Sequence, residues 1–229
     1  MTTKLILVIN CGSSSIKYAL IEPTKGLTHL SGIVENLFSN DSRLIYKLTK
    51  NNKQTEQLDN IDHSGGMKAI LSLIDKLSLT QLISGIGHRV VHGGETYSAP
   101  TLITNKVLEK IKELSDLAPL HNPANIAGIE AALHAFPKLS QVAIFDTAFH
   151  HTIPEKAFLY GLPYKLYEKQ GIRRYGFHGS SHFFISQQTP PLIGKPEADY
   201  QIISAHLGNG CSVAAIKNGK SVDTSMGMT

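Results

Sequence analysis

Arg89 is the side chain best suited to binding an anion, and it lies in residues 88–95, HRVVHGGE. A guanidinium group offers a planar fork of donors that matches carboxylate and phosphoryl oxygens, and it stays charged at any working pH. Two glycines follow it at the end of an apolar run, where a backbone can approach a ligand closely. The alternative is a structural ion pair. Residues 88–95 therefore indicate an anion site at a strand end.

A second candidate is the turn at residues 10–15, NCGSSS, followed by Lys17. One glycine, three hydroxyls and an amide can surround phosphate oxygens. The segment lacks the GxxxxGK[ST] pattern, and it joins two predicted strands where a P-loop would open a helix. An ordinary polar hairpin turn has the same composition. The turn is interpreted either as a phosphate loop or as such a hairpin.

Asp146 directly follows residues 141–145, QVAIF, a short apolar run typical of a buried strand. A carboxylate at the carboxyl end of such a strand could orient a nucleophile, bind magnesium through water, or cap the next turn. The strand-end position favours a functional role.

Three further segments are rich in polar donors. His121 lies in residues 118–123, APLHNP, before a predicted helix, and it either donates to an anion or bonds within its loop. Residues 173–182, RRYGFHGSSH, contain His178 and are interpreted as a binding loop, with its two arginines more typical of a solvated basic surface. Residues 206–210, HLGNG, form a second glycine-rich turn. It is the second phosphate-loop candidate.

His88 and His92 are poor metal ligands by spacing. Val90 and Val91 favour a strand, in which residues four apart lie ~13 Å apart. A zinc site is not indicated by cysteine either, because Cys11 and Cys211 form no CxxC pair.

The elements that must position these residues alternate between strands and helices, which favours an α/β fold. Proline is expected to end the last helix at residue 188. Asn122 is expected to cap the helix that starts there, and Ser180 or Ser181 is expected to cap the helix that runs to 188. The predicted elements are a hairpin over 5–21, a helix over 67–79, a strand over 83–91, helices over 107–117 and from 122, a strand over 141–145, helices over 164–170 and from 180 or 181 to 188, and strands over 201–206 and 212–216.

Composition excludes several classes of protein. The chain has 229 residues, is 41% hydrophobic and has a formal net charge of +4, so disorder is not expected. Like charges are not clustered, which argues against a nucleic-acid-binding arm. No apolar run approaches the ~20 residues of a membrane span, and neither a signal peptide nor a disulfide framework is indicated. We expect a cytoplasmic protein with no membrane or nucleic-acid partner.

Seven segments resemble the acetate kinases of the acetokinase family, in the same order. The resemblance spans the chain, and it is carried by residues 10–15, 88–95, 118–123, 145–150 (FDTAFH), 175–179 (YGFHG), 206–210 and 223–227 (DTSMG).

The resemblance implies a ribonuclease H-like fold of the actin and sugar-kinase superfamily. It also implies homodimers and the reversible reaction of acetate and ATP to acetyl phosphate and ADP, with magnesium. The first lobe is expected at residues 1–150 and an incomplete nucleotide-binding lobe at 151–229, so little or no activity is expected from this chain alone. Propionate kinase and a non-catalytic module are the alternatives.

The resemblance also implies residue roles. Asn10 would lie near magnesium and the phosphates, with Ser13, Ser15 and Lys17 in the same loop. Arg89 would hold acetate or the transferring phosphoryl group.

The remaining implied roles concern catalysis, the methyl group of acetate and ATP. Asp146 is the essential acid, and His178 and His121 would contact or support the phosphoryl group. The implied methyl pocket is lined by Val91, Leu120 and Phe177, and the implied ATP phosphate contacts are His206, Asn209 and Gly210. Residues 187–191, QQTPP, depart from the family, in which the helix usually continues.

Overall fold

The computed structural model describes residues 3–48, 52–194 and 200–228. The chain divides into two units, each made of separate stretches of sequence. The first unit comprises Met1–Val90, Thr101–Ser115 and Pro119–Ala143. The second unit comprises Val91–Pro100, Asp116–Ala118 and Ile144–Thr229.

Among the residues that the structure describes, five strands precede the first helix, strands and helices are mixed in the middle of the chain, and three strands follow the last helix. The α/β fold class is confirmed. The strands are β1 (Leu5–Cys11), β2 (Ser15–Glu22), β3 (Leu27–Glu35), β4 (Arg43–Leu48), β5 (Gln54–Gln57), β6 (Ile83–Val90), β7 (Thr101–Leu102), β8 (Gln141–Phe145), β9 (Gln201–Leu207), β10 (Cys211–Lys217) and β11 (Lys220–Thr224). The helices are α1 (His63–Lys76), α2 (Asn105–Glu113), α3 (Asn122–Ala135), α4 (Glu155–Phe158), α5 (Tyr164–Gln170) and α6 (Gly179–Leu192).

The first unit is built on a sheet with the strand order β5-β4-β3-β2-β1-β6-β8-β7. The predicted hairpin is confirmed, since β1 and β2 pair antiparallel and the Gly12 amide donates to the Ser15 carbonyl at 2.8 Å. β6 pairs parallel with β1, with His88 opposite Ile9. The carboxyl ends of β1 and β6 therefore lie side by side.

The core of the first unit lies against this sheet. Every second side chain of β1 is buried, and Ile70 and Ile74 of α1 are fully buried beside it. α3 also approaches β1 closely, because a Cβ on Gly128 would lie 2.3 Å from the Cys11 sulfur. A glycine is required there by the close approach of helix and strand.

The second unit contains a three-stranded antiparallel sheet with the order β11-β10-β9. Asn218 and Gly219 join β10 to β11 with φ of 50° and 76°, the positive values that a tight hairpin turn requires. One small apolar cluster beside this sheet contains Tyr200, Ala214 and Ile216, with Phe149 and Ile202 partly buried next to it.

Helix α6 corrects two predictions. It begins at Gly179, with His178 rather than Ser180 or Ser181 at the N-cap position. It also continues through Pro190 and Pro191, which were expected to end it at 188. Pro190 has no amide proton to donate to the Ser186 carbonyl, and the Tyr200 hydroxyl donates to that oxygen at 2.8 Å instead.

The start of α3 also differs from its prediction. Asn122 is a buried residue inside α3, and His121 occupies the N-cap position without a side-chain hydrogen bond to the helix. Within the described residues, no helix is both long and apolar enough to span a bilayer.

Candidate functional site

Asn10 and Arg89 form the centre of the candidate site in the first unit. They follow the paired residues Ile9 and His88 on the parallel strands β1 and β6, so both lie at strand carboxyl ends. Arg89 Nη1 donates to Asn10 Oδ1 at 3.2 Å, and both side chains are half-buried. Because an amide carries no charge, this bond orients the guanidinium group without neutralising it.

The turn after Asn10 is held in place by two side chains from helices. Asn125 of α3 donates to the Cys11 carbonyl at 2.7 Å, and His63 of α1 donates through Nε2 to the Gly12 carbonyl at 2.8 Å. Both acceptors are backbone oxygens in the predicted phosphate loop. A loop anchored in this way needs little reorganisation to bind an anion.

The predicted loop side chains differ in exposure. Ser13 and Lys17 are exposed, whereas Ser15 is half-buried at the start of β2. None of the three is part of the apolar core, so all three remain candidate ligands of phosphate oxygens.

His88 has a structural role. It is 2% exposed and donates through Nε2 to Gln141 Oε1 at 2.8 Å. Burial lowers its pKa to about 4, so the ring is neutral at pH 7.

In the part of the chain that the structure describes, no cluster of three or more His, Cys, Asp or Glu side chains is arranged to hold a metal ion.

The segment before α3 is open to solvent. Leu120 is 76% exposed and His121 is exposed as well. His121 lies at the N-cap position of α3, where backbone amides favour anions. Its position is consistent with a donor role and gives no evidence for the alternative bond within the loop.

Asp146 belongs to the second unit and is 1% exposed. Its backbone carbonyl accepts a hydrogen bond from the Gly179 amide at 2.9 Å, which ties the end of β8 to the start of α6. A Cβ on Gly179 would lie 2.2 Å from the same carbonyl oxygen. Only glycine permits this contact, which brings the backbone next to His178 up to Asp146.

His178 is half-buried and its ring is oriented from several sides. Its Nδ1 lies 2.8 Å from Ser212 Oγ, and its ring stacks on His206 with 4.1 Å between centroids. A Cβ on Gly210 would lie 3.0 Å from His178 Nε2. The glycine therefore leaves space beside this nitrogen.

The second unit also holds Val91, Phe177 and the turn after β9. Val91 and Phe177 are buried, at 7% and 4% exposure. The Phe177 ring contacts His92 edge-on, with 5.6 Å between centroids. Asn209 and Gly210 are exposed in a turn that is closed by a 3.0 Å bond from the Gly208 amide to the Gly210 carbonyl.

The two arginines at 173 and 174 are not a solvated basic surface. Arg173 is 8% exposed, pairs with Glu95, and lies over the Phe158 ring at 3.6 Å from its centroid. Arg174 pairs with Asp223 and donates to the Thr224 carbonyl at 2.9 Å. Both stabilise the second unit internally, a role that charge alone could not reveal.

Sequence reasoning missed a set of hydrogen-bonded histidines and serines around His178. Its further members are His150, His182, Ser204, Ser212 and Ser221. Two signals existed: His182 is one helical turn after His178, and Ser212 shares the buried face of β10 with Ala214 and Ile216. Neither signal shows which histidine meets which serine.

Comparison with known proteins identifies close relatives. Acetate kinase 1 of Vibrio vulnificus (strain CMCP6) is 51% identical over 230 residues. A propionate kinase structure from Francisella tularensis matches with a TM-score of 0.94 and 43% identity, and Porphyromonas gingivalis acetate kinase with 0.91 and 43%.

The matched region covers nearly all of this chain but only part of each relative. It covers 99% of this chain and 57% of the Vibrio protein, and it covers 99% of this chain and 58% of each of the two solved chains. The sequence model of the acetokinase family matches residues 5–229. Asn10, Arg89 and Asp146, which carry part of the resemblance, lie at strand ends. Because the family model matches nearly the whole chain, the chain belongs to the acetokinase family.

Proposed function

We propose that the chain carries the acetate-binding and phosphoryl-contacting residues of an acetate kinase. That enzyme converts acetate and ATP to acetyl phosphate and ADP, reversibly. The observation that carries the proposal is the half-buried Arg89 guanidinium group, oriented by Asn10 at the end of two parallel strands. Family membership supports the reaction class.

The chemistry of this reaction asks for positive charge rather than for a base. Acetate resembles a Glu side chain, whose pKa is ~4.3, so it is already ionised at neutral pH. Two anions must then meet in line, and their repulsion is the main barrier that fixed donors can lower. Arg89 would bind and orient the carboxylate or the phosphoryl oxygens, and His178 would donate a proton-bearing nitrogen to those oxygens.

Asp146 fits an orienting or metal-related role better than proton abstraction, because acetate has no proton to remove at neutral pH. Its strand-end position, 1% exposed, would hold the carboxylate in one orientation. His121 would support the phosphoryl group from the N-terminus of α3.

Magnesium fits the donors that are present. Mg²⁺ in kinases is commonly held by one or two protein oxygens together with waters and substrate phosphates, so a dedicated ligand cluster is not needed. Asp146 could hold such an ion through water, and Asn10 is the amide implied to lie near it. The ion would neutralise developing charge on the phosphates.

The remaining residues would bind the rest of the two substrates. Ser13, Ser15, Lys17, His206, Asn209 and Gly210 are proposed as contacts of the ATP phosphates. Val91, Leu120 and Phe177 are proposed to contact the methyl group. Homodimer formation, a cytoplasmic location and lobes at 1–150 and 151–229 are further parts of this proposal.

Propionate is the second candidate substrate, since a solved propionate kinase matches this chain with a TM-score of 0.94. One methylene changes binding in an apolar pocket by only about 1–3 kcal/mol. The two acids are therefore compared directly in the assay.

The test has two readouts on the 229-residue chain. Acyl phosphate made from ATP, magnesium and either acid is trapped with hydroxylamine, and acetyl phosphate binding is followed by amide chemical-shift changes. Arg89→Lys keeps the charge but removes the fork, and Asp146→Ala removes the carboxylate. Arg43→Lys is the matched control, because Arg43 lies on β4, which is separated from β1 by β3 and β2, and pairs there with Glu35 of β3.

We expect acetyl phosphate to bind the unsubstituted chain and Arg43→Lys, and to bind Arg89→Lys at least tenfold more weakly. Turnover by this chain is expected to be low, and any turnover should disappear in Asp146→Ala. Binding without turnover would indicate a substrate-binding portion that depends on the rest of the enzyme, as in a non-catalytic module. A folded chain that neither binds acetyl phosphate nor makes acyl phosphate would refute the proposal.

A further inference from the structure

A continuous chain of hydrogen bonds leads from His178 into the interior of the second unit. His178 Nδ1 lies 2.8 Å from Ser212 Oγ, which lies 2.8 Å from His182 Nε2. His182 Nδ1 in turn lies 3.0 Å from Ser204 Oγ. These four residues are called the histidine–serine relay below.

The relay has a small, countable number of protons. Ser212 and His182 are 0% exposed and Ser204 is 3% exposed, so solvent does not complete their hydrogen bonds. Burial lowers the pKa of His182 to about 4, so its ring carries one proton at pH 7. Each serine has one proton to donate. The relay can therefore point in one of two directions.

The end of the relay selects the direction. In the part of the chain that the structure describes, His182 Nδ1 is the polar atom within hydrogen-bond reach of the Ser204 hydroxyl. If His182 donated to Ser204, the buried Ser204 proton would have no acceptor, which is costly. Ser204 therefore donates to His182 Nδ1, and the single ring proton of His182 lies on Nε2.

The proton position on His182 determines the proton position on His178. His182 Nε2 donates to Ser212 Oγ, so the Ser212 hydroxyl proton is directed at His178 Nδ1. A nitrogen that accepts this bond carries no proton. The neutral His178 ring must then hold its proton on Nε2, which is the nitrogen beside Gly210.

We propose that Ser212, His182 and Ser204 are positioning residues that hold neutral His178 as the Nε2–H tautomer, so that Nε2 donates to the phosphoryl oxygens. The phosphoryl contact rests on the proposed function, whereas the tautomer does not. The stack of His206 on the His178 ring and the glycine at 210 act with the relay by fixing the ring plane and leaving room at Nε2.

A neighbouring pair provides an internal control. His150 donates through Nε2 to the Phe177 carbonyl at 3.0 Å, so its Nδ1 accepts from Ser221 Oγ at 2.8 Å. Ser221 is as buried as Ser212 but is bonded to a different histidine. Replacing Ser221 therefore removes a buried serine–histidine bond and leaves every hydrogen bond of the relay in place, while the His150 ring keeps its edge-on contact with His182, with 5.7 Å between centroids.

The test reads the tautomer directly, by ¹⁵N NMR of the histidine ring nitrogens in the labelled 229-residue chain without nucleotide. In the unsubstituted chain we expect a proton-bearing Nε2 and a bare Nδ1 at His178. Ser204→Ala, which does not contact His178, should shift its Nδ1 signal toward the proton-bearing position. Ser212→Ala should do the same, Ser212→Thr should restore the original signal, and Ser221→Ala should leave it unchanged.

A proton on Nδ1 of His178 in the unsubstituted chain overturns the proposal, even if Ser212→Ala does not fold. An unchanged His178 tautomer in folded Ser204→Ala also overturns it. Failure of the proposed function is seen separately, as absence of acetyl phosphate binding in a chain whose His178 shows the expected tautomer.

Discussion

The two units bury different kinds of side chain. In the first unit one large apolar cluster includes residues of β1, β2, β6 and α1, and the second unit buries more polar side chains than the first. In the second unit one apolar cluster comprises Tyr200, Ala214 and Ile216, and three members of the relay, His182, Ser204 and Ser212, are buried in the same unit. Arg173 is buried there as well, paired with Glu95.

This difference separates two ways of stabilising a fold. Apolar burial is additive and tolerant of small shifts, with roughly 25 cal/mol gained per Å² removed from water. Buried polar groups contribute little net energy when satisfied but cost much when a partner is lost. The first unit is thus expected to act as a stable scaffold, and the second to depend on exact hydrogen-bond geometry and on pH.

The largest expected effect is on the apolar core. Ile70→Ala removes a fully buried side chain of α1 and should lower the free energy of unfolding by about 2–5 kcal/mol, because the large core cannot close around the cavity. Ile216→Ala, in the small core of the second unit, should cost less. Urea denaturation monitored by circular dichroism measures both, and equal costs would contradict the proposed difference between the units.

Acid should destabilise the second unit more than the first. Burial lowers the pKa of His92 and His182 in the second unit, and of His88 in the first, to about 4, against 6.5 when unfolded. Between pH 6.5 and 4 the unfolded chain binds more protons, so stability is lost as pH falls. Each of His88 and His92 contributes about 2 kcal/mol of this loss by pH 5.

Hydrogen exchange at pH 7 and pH 5, corrected for intrinsic rates, measures this loss region by region. Protection in β9 and β10 should fall more than protection in β1 and β2. A uniform loss across both sheets would show that the buried histidines do not distinguish the units.

The smallest expected effects on stability come from removing two tyrosine hydroxyl groups, and the two effects should differ in direction. Tyr200→Phe removes the hydroxyl that donates to the Ser186 carbonyl beside Pro190, and should cost about 1 kcal/mol. Tyr18→Phe removes a buried hydroxyl that has no hydrogen-bond partner among the described residues, and should be neutral or stabilising. Thermal denaturation of both variants tests this. A destabilised Tyr18→Phe would show that this hydroxyl is satisfied in solution.

Patterns that act over a few residues were predicted well. The apolar runs of β1, β6 and β8 and the turn at Gly12 were found where the sequence placed them. The helix through Pro190 was not, because the hydroxyl that replaces the missing amide comes from Tyr200, ten residues later and outside the helix. Helix propensity is a property of single residues, so it does not account for a hydrogen-bond partner outside the helix.

The candidate site likewise has features that the sequence predicted and features that it did not. Its residue types were evident from the sequence, since guanidinium, carboxylate and glycine-rich turns have intrinsic chemistry. The seven ordered segments indicated the family, and the family match over residues 5–229 confirmed it. The supporting side chains, such as His63 and Asn125 beneath the turn, were not evident, because each is far along the chain from the carbonyl it contacts.

The sequence by itself therefore determined the fold class, the family and the chemical groups available to bind an anion, because periodicity and functional groups are properties of neighbouring residues. Only the tertiary structure decided that Arg89 is oriented by Asn10, that Arg173 is buried, and that His178 and His182 share Ser212 as a hydrogen-bond partner. Hydrogen bonds require two atoms within about 3 Å of each other, and strand pairing and helix packing bring such atoms together across 79 residues in the case of Arg89 and Asn10.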